Sequence, residues 1–145
     1  MILISHRGNI NGKQGEFENR QDYCQDAINA GYHVEMDIWC TDDWWTGHDG
    51  PQYKINSEFL LKPEVWCHAK NVDALYQLNK LGAHSFFHQR DEVTLTSQGY
   101  LWTYPLEKLT PKSICVLPEI QALYADKDHL QNCAGICSDF VVKYQ

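Results

Sequence analysis

The sequence predicts an α/β fold: a compact barrel of largely parallel strands, with fewer or shorter helices than a full eight-fold (β/α) barrel. Short runs rich in β-branched and aromatic residues alternate with helical patterns or short crossings, as parallel strands joined by crossovers require. The 145 residues fall well short of the roughly 250 that eight complete β/α units take. Polar residues able to do chemistry recur at the C-terminal ends of the predicted strands, where barrels gather their sites. The length corresponds to one domain with one core.

Taken in order, residues 2–5 (Ile-Leu-Ile-Ser) read as a buried strand that ends in the polar run His6-Arg7-Gly8-Asn9. A helix is expected from Asn19 to Ala30, with Cys24, Ala27 and Ile28 on one face and Gly31 as its stop. His33 to Trp39 is the second strand. Trp44-Trp45-Thr46 then leads into Gly47-His48-Asp49-Gly50. Asn56 or Ser57 caps a short helix that Pro63 ends. Val65 to Ala69 is the third strand. Asn71 caps a helix with a stripe of Val72, Leu75, Leu78 and Leu81, closed by Gly82. Further strands are expected at 85–88, 100–104, 113–117 and 135–142, with a helix from about 120 to 133 before the last. The two crossings between the fourth and sixth strands are too short for ordinary helices, which makes the barrel a reduced one.

At 43% hydrophobic residues, with five Trp, eight Tyr and five Phe, the chain can fill a core. Its net charge of −7 argues against duplex nucleic acid and anionic membranes as partners, so any cation beside a carboxylate is informative. The start Met1-Ile-Leu-Ile lacks a basic segment and a small-residue cleavage site, and no apolar run reaches membrane-spanning length. A soluble, cytoplasmic chain is the expectation. The six cysteines are scattered through strands and helices. Cys133 and Cys137 lack a partner pair for zinc, so reduced buried thiols are expected.

Chemistry concentrates in Glu35–Gly50, EMDIWCTDDWWTGHDG. Strand alternation sends Glu35 and Asp37 to one face, where two carboxylates on adjacent rungs repel unless a cation lies between them. Read without its surroundings, the stretch fits a divalent-cation site or a strand whose polar face meets water. His6 and Arg7, Glu35 and Asp37, His48 and Asp49, His68 and Lys70, and Glu119 all end or follow predicted strands. One face of a barrel would therefore collect them.

The run His6-Arg7-Gly8, then Glu18-Asn19, then Glu35-x-Asp37, then Gly47-His48-Asp49 resembles the signature of glycerophosphodiester phosphodiesterases in order and spacing. That family belongs to the superfamily of TIM-type phosphodiesterase barrels that includes phosphatidylinositol-specific phospholipase C. The resemblance covers about the first fifty residues, with weaker echoes at Cys67-His68-Ala69-Lys70 and Cys137-Ser138-Asp139. It implies a metal-dependent hydrolase of small phosphodiesters in which His6 and His48 serve as general acid and base. It also implies Glu35 and Asp37 as ligands of a divalent cation, calcium or magnesium, and Arg7 and Lys70 as phosphate contacts. Imidazole suits proton transfer near neutral pH, and a guanidinium fork suits phosphoryl oxygens. Asn19 caps its helix and holds the first loop, and Asp49 orients His48.

The chain departs from the family at the third strand, where His68 stands in place of a glutamate ligand. The third ligand is therefore His68 or Glu119, and a histidine ligand would turn the site toward manganese, zinc or iron. The insertion that helps form the substrate pocket of longer relatives has no counterpart. Two rival readings follow: a phospholipase-like lyase that releases a cyclic phosphate, and a degenerate barrel that binds a phosphorylated ligand without turnover. Among the other histidines, His33, His84 and His129 read as surface or satisfied core residues, and His88, at the end of the fourth strand, as structural or as facing the site. Asp42 and Asp43 read as a solvated turn. Of the tryptophans, Trp44 and Trp45 are placed at the mouth of the site.

Overall fold

The computed structural model describes residues 1–120 and 127–145. Among these residues ten strands share one sheet: β1 (Ile2–His6), β2 (His33–Cys40), β3 (Trp44–Thr46), β4 (Tyr53–Lys54), β5 (Val65–Ala69), β6 (Ser85–Phe86), β7 (Val93–Leu95), β8 (Leu101–Thr103), β9 (Ser113–Val116) and β10 (Gly135–Ser138). Among the described residues four α-helices accompany them: α1 (Gln21–Asn29), α2 (Ser57–Leu60), α3 (Val72–Leu81) and α4 (Lys127–Leu130). Single 3₁₀ turns cover Pro118–Ile120 and Val141–Tyr144.

The parallel ladder runs β6-β5-β2-β1-β10-β9-β8, with β7 antiparallel on the far edge of β8. One edge of β2 is shared: β1 pairs with residues His33 to Glu35, and the β3–β4 hairpin takes over from Ile38 to Cys40. The sheet curls into a half-barrel. Trp66 on β5 and Phe86 on β6 reach Trp102 on β8, with ring centroids 6.0 and 4.5 Å apart. No ladder joins β6 to β7 or β8 among the described residues. The seam is instead stitched by loop bonds, Ser97 N to Ser85 O at 2.8 Å and Thr94 Oγ1 to Phe87 O at 3.1 Å.

Period-2 alternation sorts every strand between two cores. Ile4, Trp66, Phe86, Trp102, Ile114, Val116 and Cys137 fill the inside of the curl. Val34, Met36, Ile38, Val65, Cys67 and Ala69 face outward and are covered by α1, α2 and α3 through Cys24, Ala27, Phe59, Leu60, Ala74 and Leu78. A smaller outer cluster joins Cys115 and Ile136 to Leu130 of α4 and to Cys133. All six cysteines are free.

Most elements fall where the sequence places them, and the exceptions have physical causes. In α3, Asn71 caps by accepting from Ala74 N and Gly82 closes in the left-handed region. Yet Val72 and Leu81 are exposed while Ala74 and Leu78 are buried. Steps of three residues drift about 60° each around a 3.6-residue helix, so the predicted four-residue stripe cannot share a face. Asn19 does not cap α1; Arg20 occupies that position without a side-chain cap. The last strand stops at Ser138, and the chain turns away at Phe140. β7 was not foreseen, because Glu-Val-Thr-Leu-Thr is too short for alternation to register. The helix expected from 120 to 133 lies partly outside the described residues; α4 is the part described.

Candidate active site

The same alternation that fills the inner core builds the site one rung higher. On β1, Ile4 is inside, so His6 points inward two residues later. Trp66 leads to His68, Phe86 to His88, Trp102 to Tyr104 and Cys137 to Asp139. Glu35 and Asp37 take the inward positions of β2, opposite the outward Val34, Met36 and Ile38. A cavity of about 360 Å³ opens above them, lined by His6, Arg7, Glu35, His48, His68 and Lys70, with Trp102 and Tyr104 among its aromatic walls. A second recess of about 320 Å³ shares Arg7 and His48 and continues along Glu18, Asn19, Asp49 and Gln52.

Arg7 and Gly8 are held in left-handed backbone (φ 55 and 93), and a side chain at Gly8 would strike the Tyr23 ring. That turn is braced by Arg7 N to Glu35 O at 2.9 Å and Asn19 N to Arg7 O at 3.0 Å. Asn19, itself left-handed at φ 66, clamps Asp37 twice: its Nδ2 donates to Oδ2 and its Oδ1 accepts from Asp37 N, both at 2.9 Å. Backbone held in this region costs about 1–3 kcal/mol per residue and persists where surrounding contacts fix it. Gly47 has φ 148, and a Cβ there would collide with the Gly50 carbonyl. The loop is pinned by Gly47 N to Asp37 O at 3.1 Å and by Trp39 Nε1 to Gly47 O at 2.7 Å. His48 sits on it half-exposed, with Nδ1 2.7 Å from Asp49 Oδ1.

His6 is buried, its Nδ1 2.7 Å from Asp139 Oδ1 and its Nε2 3.8 Å from Glu35 Oε2. Burial alone would lower its pKa, but the Asp139 hydrogen bond and the Glu35 charge raise it overall. Asp139 also accepts from Asn9 Nδ2 at 2.8 Å. Burial would raise the Asp139 pKa, and His6 with Asn9 pulls it below its ordinary value. Glu119 lies behind this pair. Its Oε1 accepts from Asp139 N at 2.8 Å and from Ser138 Oγ at 2.9 Å.

Asp37 is the most heavily partnered carboxylate. Arg7 Nε lies 3.0 Å from Oδ2, while His68 Nδ1 and Lys70 Nζ lie 3.2 and 3.6 Å from Oδ1. Burial would raise its pKa, but His68, then Arg7 and Lys70, hold it well below the usual carboxylate range. His68 Nδ1 also stands 3.6 Å from Glu35 Oε1. Burial opposes its charge, yet Asp37 and Glu35 push it up to about 9. Its ring lies nearly parallel to those of Phe86 and His88, with centroids 5.1 and 4.3 Å away. His88, whose Nε2 is 3.1 Å from the Tyr104 hydroxyl, is lowered to about 4 by burial and by the His68 charge.

Glu35, Asp37 and His68 each offer a ligand atom, and these atoms lie within 4.8 Å of one another, all in buried residues. Glu35 Oε2 and Asp37 Oδ1 are buried without a hydrogen-bond partner among the described residues. Their cationic neighbours, His6 Nε2 at 3.8 Å from Glu35 Oε2 and His68 Nδ1 at 3.2 Å from Asp37 Oδ1, make no well-formed hydrogen bond to them, and a cation would satisfy them more fully. This cluster can hold a metal ion. Of the two residues proposed as third ligand, His68 belongs to it and Glu119 does not, being committed to Ser138 and Asp139.

The other expectations divide the same way. His6, Arg7, Glu35, His48, His68 and Lys70 meet in one cavity; Asn19 holds Asp37 and the first loop without capping α1, and Asp49 contacts His48. Trp44 and Trp45 do not line the mouth. Trp44 packs on the outer core and Trp45 lies beneath Lys54, because the β3–β4 hairpin carries them away from the inner face. Sequence reasoning gave no role to Asp139 or Tyr104, and left His88 between the site and a structural role. Each lies two residues beyond an inner-core residue, which is the signal that would have found them. His84 is a buried core histidine, with Nε2 2.8 Å from Thr96 Oγ1.

Fold and site together define a half-barrel α/β protein with a buried, carboxylate-rich cluster at the C-terminal ends of its strands. No family model, curated protein or solved structure matches the chain. No helix among the described residues is long and apolar enough to cross a membrane.

Proposed function

We propose that this chain is a phosphodiester hydrolase of the glycerophosphodiester phosphodiesterase type, built on a reduced TIM-type barrel and dependent on a divalent cation. The observation that carries the reading is the convergence of His6 and His48 with Arg7, Lys70 and Glu35 on one cavity from four separate stretches of chain. The substrate is a small diester, most simply a glycerophosphodiester, split by water into a phosphomonoester and an alcohol.

Arg7 and Lys70 draw the phosphate into the cavity, since both line it and each keeps donors beyond its contact with Asp37. Asp139 occupies Nδ1 of His6, which leaves Nε2 as the atom that handles a proton on the cavity side. With its pKa raised, His6 is the general acid, protonating the leaving alcohol oxygen as its bond to phosphorus breaks. His48, held at Nδ1 by Asp49, takes the proton from the attacking water as the new P–O bond forms. The two histidines return to their starting states by proton exchange with solvent. A bound cation at the Glu35–Asp37–His68 cluster would neutralise charge on the phosphoryl oxygens.

The test is hydrolysis of glycerophosphocholine or bis(p-nitrophenyl) phosphate by the purified chain with added divalent metal. Activity that vanishes on chelation and in both His6→Ala and His48→Ala supports the reading. A rate that survives chelation would sink it. Binding of a phosphorylated ligand without turnover is the competing reading, favoured by the three cationic neighbours that already surround Asp37. It predicts no hydrolysis and unchanged phosphate binding in the two histidine variants.

A further inference from the structure

We infer that His68 is a metal ligand through Nδ1 and that it turns this site from hard, oxygen-only cations toward a borderline transition metal such as Mn²⁺ or Zn²⁺. The inference rests on the hydrolase reading for its setting, but it concerns the cation and is tested by binding.

The geometry presets the ring. His68 Nε2 lies 3.4 Å from the His88 carbonyl oxygen, which can only accept a hydrogen bond. Nε2 is therefore the donor on that side, and Nδ1, which faces Asp37 and Glu35, is the atom a cation would take once its proton leaves. The ring is packed nearly parallel against Phe86 and His88, at 11° and 10°, and these two neighbours restrict its rotation on that side. A ligand histidine whose second nitrogen donates to a carbonyl is the usual arrangement that fixes tautomer and orientation. In this pose Nδ1 stands 3.2 Å from Asp37 Oδ1 and 3.6 Å from Glu35 Oε1. Ligand atoms about 2.1 Å from a single ion stand roughly 3 to 3.5 Å apart.

The donor set decides the class of ion. Calcium takes about 6–8 oxygen ligands. Here three protein ligands are gathered, one of them nitrogen. The other side chains next to Asp37 are Arg7 and Lys70, which bring charge and no oxygen, and Asn19, whose Oδ1 is taken by Asp37 N. Imidazole nitrogen suits zinc, manganese and iron, where carboxylate, carbonyl and water suit magnesium and calcium. Binding displaces any proton on Nδ1 to solvent, so the cation and that proton are alternatives at one atom.

The experiment measures one-to-one binding of Mn²⁺, Zn²⁺, Mg²⁺ and Ca²⁺ to the chelator-stripped full chain by equilibrium dialysis with metal analysis, for wild type, His68→Glu and His68→Ala. Zinc binds most nitrogen or oxygen sites more tightly than magnesium, so the diagnostic quantity is the Mn²⁺-to-Mg²⁺ affinity ratio. It should fall at least tenfold in His68→Glu, and His68→Ala should lose at least tenfold in Mn²⁺ affinity. Pulsed electron paramagnetic resonance of the Mn²⁺-loaded protein should show nitrogen coupling from a bound imidazole that disappears in His68→Glu. Circular dichroism identifies a variant that has failed to fold, and for such a variant the wild-type nitrogen coupling decides. An unchanged ratio, or a wild-type Mn²⁺ spectrum without nitrogen coupling, overturns the inference. If Mg²⁺ or Ca²⁺ binds best and still supports hydrolysis, the hydrolase reading stands while this one falls. If no cation binds, both fall.

Discussion

At the scale of single residues, the His6–Asp139–Glu119 chain shows how a site is held by groups that never touch a ligand. Asp139 fixes the His6 ring at 2.7 Å, and Glu119 fixes the Asp139 backbone at 2.8 Å. Asp139→Asn keeps the shape but removes the charge that raises His6. Its activity should drop on the order of 10²-fold, the lower end of what a positioned acid contributes, as measured by kcat on a chromogenic diester. Glu119→Ala frees the Asp139 amide and should cost about tenfold in kcat with KM nearly unchanged, as lost supporting bonds do. Glu119→Gln keeps an acceptor at the same place and should recover most of that loss. Equal damage from Ala and Gln would mean that the Glu119 charge matters more than its hydrogen bonds.

At the scale of elements, α3 supplies the clearest lesson on what a sequence discloses. Its caps were legible because Asn71 and Gly82 act locally, through one side-chain oxygen and one left-handed φ. Its buried face was not, because large apolar residues at three-residue spacing suggested a stripe that the helix pitch does not allow. Small Ala74 faces the sheet, and large Val72 faces solvent. The two assignments separate experimentally. Leu78→Ala should destabilise the fold by about 2–5 kcal/mol, as a filled core position does. Val72→Ala should stay within about 0.5 kcal/mol. Urea denaturation of both measures the difference, and comparable losses would return Val72 to the core.

At the scale of the whole molecule, the polar half of the barrel was legible and its closure was not. Alternation along each strand reports which residues face in, so His6, Glu35, Asp37 and His68 could be placed on one face from sequence alone. How far the sheet curls depends on contacts between distant strands, such as Trp66 with Trp102, and nothing local encodes them. The seam between β6 and β7 is the point where the curl ends without a ladder, and His84 braces it through Thr96. Burial lowers the His84 pKa to about 4, with the nearby His33 charge adding to the shift. Trp66 and Tyr100 are the rings packed against it, both tilted, and neither brings an anion to offset a proton there. An unfolded histidine titrates near 6.5. Above that pH both states are neutral and the residue contributes nothing to the pH dependence. Below it the unfolded chain gains a proton that the folded chain resists, so stability falls as pH drops from about 6.5 toward 4 and then levels. The full difference is on the order of 3 kcal/mol. His84→Gln keeps a partner for Thr96 and cannot titrate, so its stability curve should be flatter across that interval than the wild-type curve. Amide exchange at Thr96 and Ser97 should quicken in wild type as the pH is lowered, after correction for intrinsic rates, and quicken less in the variant. Parallel pH profiles for the two proteins would place acid sensitivity elsewhere, with the His6–Asp139 pair as the next group to examine.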